Sequence, residues 1–166
     1  MVQPFATAAK LNAAKPGSVA GLLLIYPLLE LGDEASSVFA HSRIVGRAAV
    51  SYIRHQLQLK APTQSLGESD LAPVPPSLIV TGGALDPCRP DAQRLAARLD
   101  VDGKLTGLLE YPRLPHGFAS MTHVSRASGR AVGEIGERLA DLVTQVSAQQ
   151  TQASDDRFAP ATGPAP

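Results

Sequence analysis

The sequence predicts an α/β domain built around a parallel β-sheet. Short, nearly continuous apolar runs bounded by turn residues are typical of strands that are covered on both faces. Other segments have an apolar stripe at helical spacing, which is typical of helices that cover a sheet. Residues 77–111 have the strand–helix–strand order of a parallel crossover unit, and its usual length of roughly 30 residues. With 166 residues, 44% of them hydrophobic, the chain can form one ordinary domain with a core.

The N-terminal segment predicts a short helix followed by the first strand. Residues 5–14 are rich in alanine and end before Lys-Pro-Gly at 15–17, a sequence that breaks helices. Residues 19–29 then form an apolar run that suits a buried strand. The leucine content of this run is also compatible with a buried helix, whereas Pro27 near its end favours the strand.

The middle of the chain is predicted to contain one helix between irregular segments. Residues 30–42 are polar and without periodicity, and apolar side chains then recur at helical spacing over 46–59. Proline, glycine and polar residues dominate 61–76, which predicts a loop. We assign residues 30–59 as a candidate contribution to a lid over the site, where substrate would be selected.

The strand–helix–strand unit follows this loop. Residues 77–81 form a short apolar strand that is closed by Gly-Gly at 82–83. A helix is expected from Pro90 to about residue 100, because proline suits the first turn of a helix. A further strand is predicted over 105–111.

The C-terminal segment predicts one long helix and a tail. A continuous apolar stripe over residues 125–147 indicates a helix that covers one face of the sheet. The composition then changes to Gln, Ser, Asp, Ala, Gly and Pro, which predicts a disordered tail over 149–166. The folded domain is therefore expected to occupy residues 1–148.

Charge and cysteine content argue against several classes of partner and location. The 15 basic and 15 acidic residues are scattered, so we predict no nucleic-acid partner. The longest apolar run, 22–29, is far shorter than the roughly 20 residues of a membrane span, and the N-terminus lacks a secretory signal. Cys88 is the single cysteine, which predicts no internal disulfide and no Cys/His metal site. We expect a cytoplasmic protein with a small neutral or apolar partner.

Asp86 and His116 are the candidate catalytic residues. Each follows a predicted strand, and the carboxyl ends of parallel strands meet at one edge of a sheet, where functional groups collect. A carboxylate at this edge can accept a hydrogen bond from one imidazole nitrogen and leave the other nitrogen free as a general base. Taken singly, Asp-Pro most often forms a turn and His-Gly a loop. Their placement after consecutive strands favours the catalytic interpretation.

Three motifs give the chain a resemblance to a known family. They are Leu-Ile-Tyr-Pro at 24–27, the run from Pro75 to Leu-Asp-Pro at 85–87, and Tyr-Pro at 111–112 followed by His-Gly-Phe-Ala-Ser-Met at 116–121. Together they resemble the C-terminal part of the hormone-sensitive-lipase branch of the α/β-hydrolases, the esterases related to acetyl esterases and bacterial carboxylesterases. The resemblance covers about residues 18–147 and implies that Asp86 and His116, 30 positions apart, complete a triad with an earlier serine.

The motifs that carry the serine half of this triad are missing from the sequence. The family places an oxyanion-hole His-Gly-Gly and a Gly-x-Ser-x-Gly nucleophile elbow before the first strand, and neither occurs here. Gly-Gly at 82–83 lacks the histidine, and Gly-Glu-Ser-Asp-Leu at 67–71 lacks the closing glycine. By resemblance, residues 5–14 correspond to the helix after the elbow, so we expect the chain to begin just after the serine. A single acid, Asp91, stands where the family usually has an acidic pair.

Other polar residues are weaker candidates for a functional role. We do not expect Cys88 to replace the serine, because no elbow presents it and the neighbouring carboxylate would raise its pKa. Ser120 lies beside the histidine motif without a strand–turn–helix context. The remaining histidines are assigned to surface or packing roles; they are His41, His55 and His123.

The sequence therefore predicts a partial α/β-hydrolase fold of about three parallel strands with flanking helices. At family level it predicts hydrolysis of small acyl esters by a Ser-His-Asp mechanism with no metal or organic cofactor, and little or no activity for this chain alone. Two alternatives stay open: a non-catalytic binding or interaction module with an acyl pocket near Tyr52 and Phe118, and a truncated, inactive product. The unpaired apolar edge of the first strand also predicts self-association.

Overall fold

The computed structural model describes residues 4–27 and 71–158. The predicted helix over 46–59 and the candidate lid over 30–59, with His41, Tyr52 and His55, lie outside these ranges. The described elements are, in chain order, helix α1 (Pro4–Ala14), strand β1 (Leu22–Ile25), strand β2 (Ser77–Gly82), helix α2 (Arg89–Val101), strand β3 (Leu105–Tyr111), a 3-10 turn (Phe118–Ser120) and helix α3 (Arg126–Phe158).

The three strands form one parallel sheet in the order β1-β2-β3, so that β2 is the central strand. Leu23 of β1 aligns with Leu78 of β2, and Ile79 of β2 aligns with Leu108 of β3. Every residue of β2 is buried, as expected of a strand covered on both faces. The apolar run at 19–29 therefore contains a strand rather than a helix. The predicted class, three parallel strands with flanking helices, is confirmed.

Helices cover both faces of the sheet because successive side chains of β2 point to opposite sides. Ile79 lies in one apolar cluster with Phe5 of α1 and Leu95 of α2. Leu78 and Val80 lie on the other face, in clusters with side chains of α3. The sheet is thus held between two helical layers, and the loops that follow β2 and β3 meet at its carboxyl edge.

The strand–helix–strand unit closely follows the sequence pattern. β3 has the predicted bounds, and α2 begins one residue before the predicted start, with Pro90 in its first turn. Proline suits this position because the first N–H groups of a helix have no intrahelical acceptor. After α2 the chain turns at Gly103, whose φ of +64° is readily adopted by glycine.

Helix α3 is longer than the apolar stripe predicts. It continues to Phe158 and so extends into the segment, 149–166, for which the sequence predicts a disordered tail. The physical reason is that this segment contains no glycine or proline before Pro160, and its alanine and glutamine are good helix formers. No helix within residues 4–27 and 71–158 is both long and apolar enough to cross a membrane.

Candidate active site

The loops after β2 and β3 bring Asp86 and His116 together at the carboxyl edge of the sheet. Asp86 follows β2 and His116 follows β3, so the parallel strands deliver both loops to the same side. His116 Nδ1 lies 2.9 Å from Asp86 Oδ1. The two side chains that the sequence predicts to meet at this edge are therefore within hydrogen-bond distance.

Two glycines let these loops approach each other closely. The Gly83 N–H donates to the Leu114 carbonyl at 2.8 Å. A Cβ atom on Gly83 would lie 1.9 Å from the Pro112 carbonyl oxygen, and one on Gly82 would lie 2.7 Å from the Leu114 carbonyl oxygen. Both distances are too short for any larger residue. The Gly-Gly pair at the end of β2 is therefore required for the loop that carries His116 to reach Asp86.

The Asp86 carboxylate is buried, and its hydrogen bonds fully occupy it. Oδ1 accepts the Cys88 N–H and contacts His116 Nδ1, both at 2.9 Å. Oδ2 accepts the Gly82 N–H at 2.7 Å and the Thr81 hydroxyl at 3.0 Å. Burial on its own raises the pKa of this carboxyl, but the hydrogen bonds from His116 and its other partners outweigh burial, and the pKa is lowered. Asp86 is therefore charged at neutral pH.

This arrangement sets the roles of the two imidazole nitrogens of His116. An ionised carboxylate can only accept, so the neutral ring that contacts Asp86 carries its hydrogen on Nδ1 and has its lone pair on Nε2. The side chain is 44% exposed, which leaves the imidazole accessible from solvent. Gly117, at φ +77°, turns the chain into the 3-10 turn, whose Phe118 is fully buried and anchors the loop.

Tyr26 is a further residue of this site that the sequence analysis did not single out for a role. It directly follows β1, and its ring centroid lies 4.7 Å from that of His116. Its hydroxyl accepts the Ala119 N–H at 2.9 Å. A Tyr-Pro pair at the end of a strand is the signal in the sequence, but the backbone conformation that turns this side chain toward His116 is not visible there.

Neither Cys88 nor Ser120 is available as a nucleophile. Cys88 is 4% exposed, and burial, followed by the charges of Asp86 and Asp91, raises the pKa of its thiol to about 12. It is therefore a neutral thiol rather than a nucleophile at neutral pH. The Ser120 hydroxyl donates to the Gly117 carbonyl at 2.8 Å and closes the 3-10 turn. Asp91, the single acid after Arg89, forms an ion pair with Arg94 one turn along α2.

One group of side chains has donor atoms suited to a metal ion. Ligand atoms of Asp86, Cys88 and His116 all lie within 4.8 Å of one another. Two features disfavour a cation here: the thiol would have to lose a proton held with a pKa of about 12, and the lone pairs of Asp86 already accept hydrogen bonds. The donor set fits a hydrogen-bonded pair better than a metal centre.

The geometry and the comparisons with known proteins define the class. The Asp86–His116 pair lies at the carboxyl edge of a parallel sheet, which is where α/β proteins collect functional groups. The profile of the α/β-hydrolase fold matches residues 4–120. Because this match spans well over half of the sequence, the chain belongs to the α/β-hydrolase fold family. No curated protein sequence matches the chain significantly.

Solved esterase structures share the fold. Esterase LipW from Mycobacterium marinum is 31% identical, with a TM-score of 0.65, over 84% of this chain and 46% of its own. An esterase from Pyrobaculum calidifontis is 21% identical, with a TM-score of 0.63, over 83% and 48% of the two chains. A fungal esterase from Rhizomucor miehei is 16% identical, with a TM-score of 0.66, over 86% and 48%. The last two show a likeness of fold alone. The chain spans about half the length of these proteins.

Proposed function

We propose that this chain carries the acid–base part of a site that hydrolyses small carboxylic esters by a Ser-His-Asp mechanism. The observation that carries the proposal is the 2.9 Å contact between His116 Nδ1 and Asp86 Oδ1, because it leaves Nε2 as the nitrogen that can take a proton. Membership of the α/β-hydrolase family and the likeness to esterases support ester hydrolysis as the reaction at family level.

His116 is the general base and then the general acid in this mechanism. Its Nε2 takes the proton from a serine hydroxyl as the serine oxygen attacks the ester carbonyl, and later gives that proton to the leaving alcohol. Asp86 holds the hydrogen on Nδ1 and stabilises the imidazolium that forms. The nucleophile and the oxyanion donors lie outside these 166 residues in this proposal, since no Gly-x-Ser-x-Gly sequence occurs within them.

Exposed apolar side chains that are close to Asp86 and His116 in the sequence support an acyl substrate. Leu85, next to Asp86, is 61% exposed. Met121 and Val124, in the segment after the His116 loop, are 38% and 86% exposed. An apolar acyl group would remove part of this surface from water, which is favourable in proportion to the area covered. A small ester with an uncharged acyl group is therefore the substrate class that the surface favours.

The test supplies the missing half from a related enzyme. Fusing the preceding half of the Mycobacterium marinum esterase to this chain is expected to give hydrolysis of p-nitrophenyl acetate. His116→Ala should then lower kcat/KM by at least about 10³-fold, and Asp86→Asn should lower it by up to about 10⁴-fold. His123→Ala changes another exposed histidine and should leave kcat/KM unchanged. The 166-residue chain alone is expected to be no faster than its own His116→Ala variant.

Two outcomes would overturn this proposal. Hydrolysis by the fusion protein that survives His116→Ala would show that His116 is not the base. Hydrolysis by the chain alone that is lost in His116→Ala would show that the nucleophile is within these residues.

A binding unit without turnover is the second candidate, and the absence of a nucleophile motif from the sequence favours it. A fusion protein that folds, as judged by circular dichroism, and binds a p-nitrophenyl ester without hydrolysing it would support this candidate instead. The other alternative, a truncated product with no function of its own, predicts neither binding nor turnover by the chain.

A further inference from the structure

Tyr26 adopts an unusual backbone conformation at the end of β1. Its φ is +53°, and every other residue with a positive φ within residues 4–27 and 71–158 is a glycine. For an L-residue with a Cβ atom this conformation is unfavourable, because the Cβ atom lies too close to the backbone. The Tyr26 N–H nevertheless donates to the Val80 carbonyl at 2.9 Å, so the hydrogen bonding of the sheet continues to this residue. Strain of this kind persists where surrounding contacts hold it and is concentrated at functional sites.

The ring of Tyr26 contacts two side chains of the histidine loop, the segment after β3 that carries His116. The ring lies 4.7 Å from the His116 imidazole, centroid to centroid, with an angle of 47° between the planes. It also meets the Phe118 ring edge to face, at 5.3 Å and 88°. Aromatic pairs at such distances are stabilising and have preferred geometries. Tyr26 therefore contacts both the imidazole and the residue that anchors its loop.

The hydroxyl of Tyr26 provides a third contact with this loop. It accepts the Ala119 N–H at 2.9 Å and so joins residues 93 positions apart in the sequence. The Ala119 N–H lies in the 3-10 turn, where the first N–H groups have no acceptor within the turn. Burial raises the pKa of the phenol, so the hydroxyl stays neutral and acts as a stable acceptor.

Asp86 alone does not fix the orientation of the imidazole. It contacts one ring atom, Nδ1, and a single hydrogen bond leaves the ring free to tilt about that contact. The side chain is also 44% exposed, so packing encloses it only in part. A second contact on the ring, from Tyr26, limits this tilting.

We propose that Tyr26 is a positioning residue that holds His116 so that Nδ1 keeps its hydrogen bond to Asp86 and Nε2 keeps a fixed direction. The ring of Tyr26 acts on the imidazole directly, and its hydroxyl acts through the 3-10 turn. This inference rests on the proposed function in one respect: the direction of Nε2 matters because Nε2 takes the proton from the serine. The positioning itself is measurable in the chain without any substrate.

Tyr26→Phe is the test, with Tyr111→Phe as a matched control. Tyr111 packs on Phe118 from a second direction, at 5.1 Å, and its hydroxyl bonds to the Ala131 carbonyl and Glu134 rather than to the histidine loop. Both variants therefore remove one hydroxyl from a ring that packs on Phe118. In protein labelled with ¹⁵N-histidine, which has four histidines, exchange of the His116 Nδ1–H with water is measured by NMR.

Tyr26→Phe is expected to speed this exchange roughly 2- to 10-fold, the effect of losing one hydrogen bond, and Tyr111→Phe to leave it at the wild-type rate. Equal effects of the two variants would overturn the inference, since both would then act through general stability. If Tyr26→Phe does not fold, the hydrogen-exchange rate of the Ala119 amide in the wild-type chain is measured instead. An exchange rate slower than that of an unstructured loop supports the contact with the Tyr26 hydroxyl, and a rate equal to that of an unstructured loop contradicts it. A wild-type His116 without an Nδ1–H would instead contradict the proposed function.

Discussion

The same four hydrogen bonds stabilise the charged form of Asp86 and fix the orientation of its carboxylate. Its Oδ2 is held by the Gly82 N–H and the Thr81 hydroxyl, and its Oδ1 by the Cys88 N–H and His116. These donors lower the pKa of the carboxyl against the opposing effect of burial. A protonated Asp86 would have to give up part of this set, so the charged state of the residue and the native loop are thermodynamically linked.

We therefore predict an acid-dependent loss of stability that depends on Asp86. Its pKa in the folded chain lies below the ordinary value of 3.8, so the unfolded state binds the proton first as pH falls. The stabilisation is present above pH 3.8 and is lost as pH falls through the folded pKa. Asp86→Asn should show less of this loss in urea unfolding between about pH 6 and pH 2.

The same substitution should cost stability at neutral pH. In Asp86→Asn an NH₂ group, which can only donate, replaces one carboxylate oxygen, so a buried N–H or hydroxyl loses its acceptor. One buried donor left unpaired lowers the free energy of unfolding by about 1–3 kcal/mol. Asp102→Asn, at an exposed carboxylate after α2, is the matched control and should leave both the pH dependence and the neutral stability unchanged. If Asp86→Asn behaved like Asp102→Asn, the buried hydrogen bonds would not stabilise the chain.

At the scale of elements, the close approach of two loops determines whether the pair can form. Gly83→Ala would place a Cβ 1.9 Å from the Pro112 carbonyl oxygen, and this backbone atom can move only if the two loops separate. We expect a loss of about 1–3 kcal/mol or more in the free energy of unfolding. The Nδ1–H signal of His116 should weaken in the same variant.

Gly133→Ala provides the control for this prediction. Gly133 lies exposed in α3, and a Cβ there would meet no atom within 4 Å. Alanine at such a position should stabilise the chain by about 0.5–1 kcal/mol. Urea unfolding of both variants separates the effects, and a Gly83→Ala variant as stable as wild type would contradict the close contact of the loops.

Several elements could be predicted from the sequence because the signals that determine them are local. β2 and β3 are apolar runs between turn residues, and Pro90 marks the start of α2. The proximity of Asp86 and His116 follows from the rule that loops at the carboxyl ends of parallel strands share an edge. These predictions needed only residue type, spacing and the parallel arrangement.

The end of α3 and the backbone conformation of Tyr26 could not be predicted in this way. Residues 149–158 are polar, and their composition alone does not distinguish an exposed helix from a tail. The positive φ of Tyr26 is held by contacts with residues 116–119, which are far away in the sequence. A conformation that long-range contacts impose against local preference leaves no local pattern.

At the scale of the whole molecule, the sheet has two outer strands. Among the described residues no strand pairs with the outer edge of β1 or of β3. Ile25 of β1 is 39% exposed, and an apolar strand edge can pair with another chain. We infer that the 166-residue chain on its own associates through β1.

Light scattering and sedimentation test this inference. We expect a mass above the 17.3 kDa of a single chain, with a shift toward the monomer in Ile25→Lys, because a charge on an edge strand opposes pairing. Val101→Lys changes a side chain that is 84% exposed at the end of α2 and should leave association unchanged. A monomeric wild-type chain that unfolds cooperatively would contradict association through this edge.

We propose that Asp86 holds His116 with its hydrogen on Nδ1 and its lone pair on Nε2, where it can accept a proton from a serine. The long-range ¹H–¹⁵N spectrum of the histidine-labelled chain at about pH 8 measures this most directly, because it assigns the tautomer of neutral imidazole. We predict the Nδ1–H tautomer for His116 in the wild-type chain and its loss in Asp86→Asn. A wild-type His116 in the Nε2–H tautomer, or one that is unchanged by Asp86→Asn, would contradict the claim.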